Sequence, residues 1–211
     1  MRIGQYICYK WHGNTKNIKG MANQISLGDS LLKNTAIKIH GNHNFIEIGN
    51  HARLKNCHIS IKGHHHRLHI ANHVALYDCE LKFEDDNCLI SIGARSKILK
   101  NGYIAVAESN SSIRIGEDCL ISTDFHLRNS DSHSILDKHT GKRLNAAKDI
   151  YLGNHIWIGG QVQILKGVTI MNNAIIGMRS LVTKDIAENT LVAGAPARVI
   201  KTDVDWCEDR I

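Results

Sequence analysis

One histidine of the 14 in this 211-residue chain stands apart by its surroundings. His133 lies in the polar run RNSDSHSILDKHTGKRLNAAKD, between Ser132 and Ser134 and two residues after Asp131. Imidazole is the side chain best suited to take a proton from a hydroxyl near neutral pH, and general-base catalysis of that kind is worth roughly 10²- to 10⁴-fold in rate. Asp131 is placed to orient or polarise the ring, and Arg128 and Asp131 are candidates for contact with the substrate. Trp157 alternates with Ile156 and Ile158 and therefore points outward, either under a neighbouring subunit or as a flat apolar wall for a ligand. Lys184, Arg198 and Lys201 are surface cations or partners for the phosphates of a nucleotide-like cofactor.

Other chemistries have less support. Nine histidines fall between His40 and His73, but a metal site on stacked coils needs a pair five apart and a third ligand on an adjacent coil. His64 and His69 form such a pair, Gly28 stands where a partner two coils earlier would be, and no metal is expected. Walker, G-x-G-x-x-G, G-x-S-x-G and H-E-x-x-H patterns are absent. The net charge of +6 and pI near 9.0 favour an anionic partner. With no basic run and no aromatic-rich sheet motif, nucleic acid is not expected. No segment reads as a secretory signal or a membrane span, which makes the cytoplasm the expected location. The six cysteines are scattered without a C-x-x-C pair, as reduced structural thiols would be.

The elements that must carry these residues show a period of six. Leu152, Ile158, Ile164, Ile170, Ile176 and Val182 recur at every sixth position, where a helix face would recur at three and four and a strand face at two. Gly153, Gly159 and Gly177 follow three of them, where a side chain would crowd a tight corner. This [LIV]-G-x-x-[small]-x unit is the hexapeptide signature of a parallel β-helix. A single proline and 5% aromatic residues agree with a narrow interior filled by aliphatic ladders.

The expected organisation is an irregular N-terminal cap over residues 1–35, a β-helix over 36–201 and a polar tail over 202–211. About eight coils of about 18 residues would fit. The period fails between Leu127 and Ile150, so residues 128–149 must project from the coil, and such excursions are usually functional.

SDSHSILD, YLGNHIWIGGQVQILKGVTI and IIGMRSLVTKDIAENTLVAGAPARVIK together resemble the hexapeptide-repeat acetyltransferases. RNSDSH and GNHN at 41–44 are most similar to the capsular polysaccharide and polysialic acid O-acetyltransferases. The resemblance implies an all-β, left-handed parallel β-helix and a homotrimer with active sites in the clefts between neighbouring coils. It implies acetyl-CoA as donor and a sugar or polysaccharide hydroxyl as acceptor, a polyanion such as sialic acid among them. His133 falls on the family's catalytic histidine and Trp157 on its I-W-I-G tryptophan. Gly160, Met178, Thr183, Lys184, Arg198 and Lys201 fall on cofactor-contact positions, Met178 where alanine is usual. N-acetylation of a nucleotide-linked amino sugar and a non-catalytic scaffold are the alternatives, and bound zinc would point instead to a carbonic anhydrase relative.

Overall fold

A computed structural model describes residues 12–211; Cys8 and the rest of residues 1–11 lie outside the described residues. The chain winds as a triangular prism of stacked coils whose three sides are sheets of eight, seven and nine strands, called sheets I, II and III, parallel throughout except for the last strand of sheet III. It is the parallel β-helix that the hexads imply, and the left-handed one that the family resemblance implies. Successive ladder residues turn round the prism: Leu152 lies on sheet II, Ile158 on III, Ile164 on I, and Ile170, Ile176 and Val182 repeat the circuit one coil higher. None of the six is more than 3% exposed. Each buried aliphatic side chain contributes roughly 1.5–3 kcal/mol, so the ladders are the main source of stability.

The coils begin earlier and run longer than the hexads suggest. Thr15–Lys19, Gln24–Ser26 and Leu31–Lys33 already make one strand of each sheet, inside the stretch expected to be an irregular cap. In this half Ile37 pairs with Ile59, 22 residues on, whereas Ile164 pairs with Val182, 18 residues on. The reason lies on sheet I. Strands such as Ala36–His40 carry two inward residues, Ile37 and Ile39, where Gln163–Ile164 carries one. The second column runs Ile39, Ile61, Phe83, Val106. It widens one side of the prism and hides the six-residue period from the sequence.

Corners depend on left-handed backbone. His43, His51, His65, His73 and His155 all have φ between 54° and 61°. His43 stacks on His65 and His51 on His73 at 5.1 and 5.0 Å, so these members of the histidine-rich stretch serve as turn residues. At the glycine that follows Ile158, a Cβ on Gly159 would stand 2.7 Å from the Met178 nitrogen of the next coil. Cys57, Cys79, Cys88 and Cys119 are free thiols buried at corners, and Cys207 is exposed. Among the described residues there is no helix, and none therefore is long and apolar enough to cross a membrane.

Candidate functional site

The excursion leaves the prism between His126–Arg128 of sheet I and Ile150–Leu152 of sheet II, at the corner joining those sheets. Its root is Asn129, fully buried, whose amide closes on Ala107 through both its oxygen (2.8 Å) and its nitrogen (3.1 Å). Arg143, farther along the loop, reaches back to Glu108 in a bidentate pair at 2.6 and 2.8 Å, and Ser130 donates to the same carboxylate. The Arg143 guanidinium beside Glu108 brings its carboxyl down to about 2. Asp149 completes the closure by accepting from the Ser112 backbone and hydroxyl.

Asn145 fixes the segment bearing His133. Its oxygen accepts from the Ile135 N–H at 2.6 Å, and its nitrogen donates to the His133 carbonyl at 2.8 Å and to Asp131 at 2.7 Å. Asp131 also takes Lys166, which donates a further bond to the Asn145 carbonyl. Lys166 is the chief reason that the Asp131 carboxyl lies below the ordinary range. Asp131 is thus bound by Lys166 and Asn145 and is not the orienting partner of His133. The exposed imidazole has no hydrogen bond to any described residue, which leaves both nitrogens free for a substrate. Arg128 bonds to the Ser132 hydroxyl at the loop's entrance. Ser132 and Ser134, on either side of His133, line an open cleft of about 710 Å³ with Lys62, Glu84, Asp86 and Arg143.

Trp157 stands on sheet III, facing outward between Leu120 and Ile175 of the adjacent coils, and is 41% exposed. Gly160 and exposed Met178 follow at the corner between sheets III and I, where Arg179 bonds to Gln161 at 2.6 Å. The two glycines of this motif do different things. Gly159 donates its N–H to Ile176 and is needed for coil packing. Gly160 has room for a Cβ, no closer than 3.5 Å to any neighbour, and its N–H bonds to no described residue.

One chain gathers Trp157, Gly160 and Met178 but does not bring them to His133. The corner between sheets I and II is the one corner that sheet III does not touch, so the histidine and the tryptophan lie on opposite sides of the prism. Thr183 and Lys184 sit at the histidine's corner, Lys184 one coil above Lys166 in the same position. Arg198 and Lys201 lie on the antiparallel strand Arg198–Lys201 that ends sheet III. Among the described residues no three His, Cys, Asp or Glu converge as a metal set. His64 is held by Asn42 and Asp86 and His69 by Glu47.

Asn145, Lys166, Glu108, Arg143, Arg179 and the C-terminal Trp206 were not singled out in the sequence. Each supports the site through a partner between 14 and 51 residues away or sits beside it at a corner. No local pattern marks them.

No profile of a known protein family matches the chain. It is 35% identical over 150 residues to the polysialic acid O-acetyltransferase of Neisseria meningitidis, covering 71% of this chain and 68% of that protein. It is 37% identical over 117 residues to the polysialic acid O-acetyltransferase of Escherichia coli O1:K1 / APEC, covering 56% of this chain but only 38% of that protein's length. The crystal structure of the polysialic acid O-acetyltransferase OatWY superposes with a TM-score of 0.80 at 32% identity over 94% of this chain and 92% of that one.

Proposed function

The chain belongs to the hexapeptide-repeat acetyltransferases, in the family of the polysialic acid O-acetyltransferases, and from that membership we propose that it moves an acetyl group from acetyl-CoA to a hydroxyl of a bacterial capsular polysaccharide. Sialic acid polymer is the acceptor that its relatives' names indicate. The observation that carries the reading is the excursion: a fastened loop that presents an unpartnered imidazole outward, away from its own chain's donor wall.

We read the site as a joint one, in which His133 of one copy meets Trp157, Gly160 and Met178 of a neighbour in a homotrimer whose clefts each hold one site; what supports this is that the histidine and the tryptophan lie on opposite sides of a single prism. The acceptor hydroxyl gives its proton to His133 while its oxygen bonds to the thioester carbonyl carbon. The resulting oxyanion is held by the Gly160 N–H, the free donor of the I-W-I-G-G turn. Collapse breaks the carbon–sulfur bond, and the thiolate takes the proton from the imidazolium and leaves as coenzyme A. Thr183, Lys184, Arg198 and Lys201 are the polar and cationic groups for the donor's hydroxyls and phosphates, and Arg128 with Lys166-bound Asp131 borders the acceptor. The protein is assigned to the cytoplasm, where acetyl-CoA is made.

His133→Ala tests the assignment. Turnover of acetyl-CoA with polysialic acid should fall at least about 10²-fold, with the melting temperature and assembly unchanged because the ring makes no bonds in the fold. Retained turnover in the purified variant refutes it. Four carboxylates in the cleft beside His133, Glu84, Asp85, Asp86 and Glu108, favour a second reading in which the acetylated sugar is neutral. Acetyl-CoA consumption with polysialic acid, neutral oligosaccharides and nucleotide-linked amino sugars separates the three acceptors. A polyanion shows rates that fall with salt.

A further inference from the structure

The C-terminal segment, expected to be a short polar tail, is bound along the prism. After the strand Arg198–Lys201 it turns down the corner between sheets II and III, and Val204 donates its N–H to the Asn189 carbonyl. Two coils below Asn189, Trp206 and His155 hold one another reciprocally. The indole N–H donates to the His155 carbonyl at 2.9 Å, and the His155 Nε2–H donates to the Trp206 carbonyl at 3.0 Å. Their rings lie 9° from parallel with centroids 4.5 Å apart. Asp205 stands 3.2 Å from the same Nε2, and Glu208 pairs with Lys97 at 2.6 Å, lower still.

This strap ends against the donor wall. The Trp206 ring packs on Trp157 at 6.1 Å and 41°, a tilted aromatic pair, and both rings keep an exposed side. Trp157 sits on a two-residue strand, outside the core, and its other neighbours in the sheet are the aliphatic side chains of Leu120 and Ile175. Nothing else aromatic among the described residues contacts it. We propose that Trp206 is a positioning residue: held by His155, Asp205 and the Lys97–Glu208 pair, it fixes the indole of Trp157 in the orientation that receives acetyl-CoA. This rests on the reading of Trp157 as part of the donor wall.

The test compares Trp206→Ala, Trp206→Phe, Glu208→Gln and Trp157→Ala, measured by coenzyme A calorimetry, steady-state kinetics and the exciton couplet that paired indoles give in circular dichroism. Trp206→Ala should abolish the couplet and weaken coenzyme A binding about 3- to 10-fold, the range of an aromatic pair contact. The KM for acetyl-CoA should rise by the same factor with kcat nearly unchanged. Trp206→Phe should recover most of the affinity, and Glu208→Gln, which frees the strap's end without touching a ring, should give a smaller loss in the same direction. If Trp157→Ala weakens coenzyme A binding and Trp206→Ala does not, the proposal is overturned. Tighter binding by Trp206→Ala overturns it too, because the strap would then compete with the donor. If Trp157→Ala itself leaves binding unchanged, Trp157 is not donor wall and the role of Trp206 falls with it, while the His133 assignment stands or falls on its own variant.

Discussion

Asn145→Ala removes the three bonds that tie the His133 segment to the rest of the loop. At about 0.5–1.5 kcal/mol net for each neutral hydrogen bond, and more for the one to the Asp131 carboxylate, the closed loop loses about 2–5 kcal/mol. The excursion leaves a solenoid whose ladders are complete without it, so this cost falls on local opening and not on global unfolding. Each 1.4 kcal/mol of lost positioning is a factor of ten in rate. Even if relaxation and water recover half, kcat should fall about 5- to 60-fold. The KM for acetyl-CoA should stay within about twofold, since the Asn145 side chain bonds to Ile135, Asp131 and His133 and to none of the donor-wall residues Trp157, Gly160 and Met178, and the thermal midpoint should move by no more than about 4 °C. Asn145→Asp is the control. It keeps an acceptor for Ile135 but sets a second carboxylate against Asp131, so it should be no better than alanine. Steady-state acetyl transfer and a melting curve on the same preparations decide the matter. A variant with unchanged kcat, or one whose midpoint collapses with its activity, refutes the reasoning.

Three further outcomes follow from the packing and the titrating groups. Because Arg143 depresses Glu108 from 4.5 to about 2, the contact's contribution is complete above the ordinary value and is lost as pH falls from about 4.5 towards about 2. Proteolysis of the loop at stepped pH should show that dependence, and Glu108→Gln should cut at every pH. Burial pushes His66 below its ordinary 6.5, and its neutral ring donates from Nε2 to the Asp85 carbonyl and accepts at Nδ1 from the Cys88 N–H. Its contribution is therefore full above about 6.5 and is lost as pH falls, so the urea midpoint should drop between about pH 7 and 5, less steeply in His66→Asn. Ile158→Ala, a cut in the fully buried ladder of sheet III, should cost about 2–5 kcal/mol in urea unfolding with the reaction chemistry unaltered in surviving folded protein.

Legibility followed periodicity. Leu152 to Val182 named the architecture because their coil is the minimal one, six residues per side with no extra inward column, so spacing in sequence equals spacing in space. The earlier coils were legible only as broken hexads, because Ile39, Ile61 and Phe83 double the inward set on one side and each circuit absorbs four or five extra residues. His133 was singled out by the interruption around it. What fastens its loop was not, since Asn145, Lys166 and Glu108 reach their loop partners only when the loop has closed and adjacent coils have stacked. Asp131 shows the same limit: it lies two positions before His133 in sequence, but its carboxylate is taken by a lysine 35 residues on. Trp206 shows the limit most clearly, for a polar tail carries no pattern that says where it will lie.

The second inward column of sheet I ends at Val106, and in the next coil the fully buried Asn129 turns the chain out into the loop. The prism therefore has a shoulder, wide below and narrow above, and the loop springs from the step. Below it, each repeat of 22 or 23 residues adds one strand spacing, about 4.8 Å, to the length of the rod and alters nothing above. Splicing in or removing whole circuits there would lengthen or shorten the rod by one strand spacing each while leaving the shoulder and its loop unchanged.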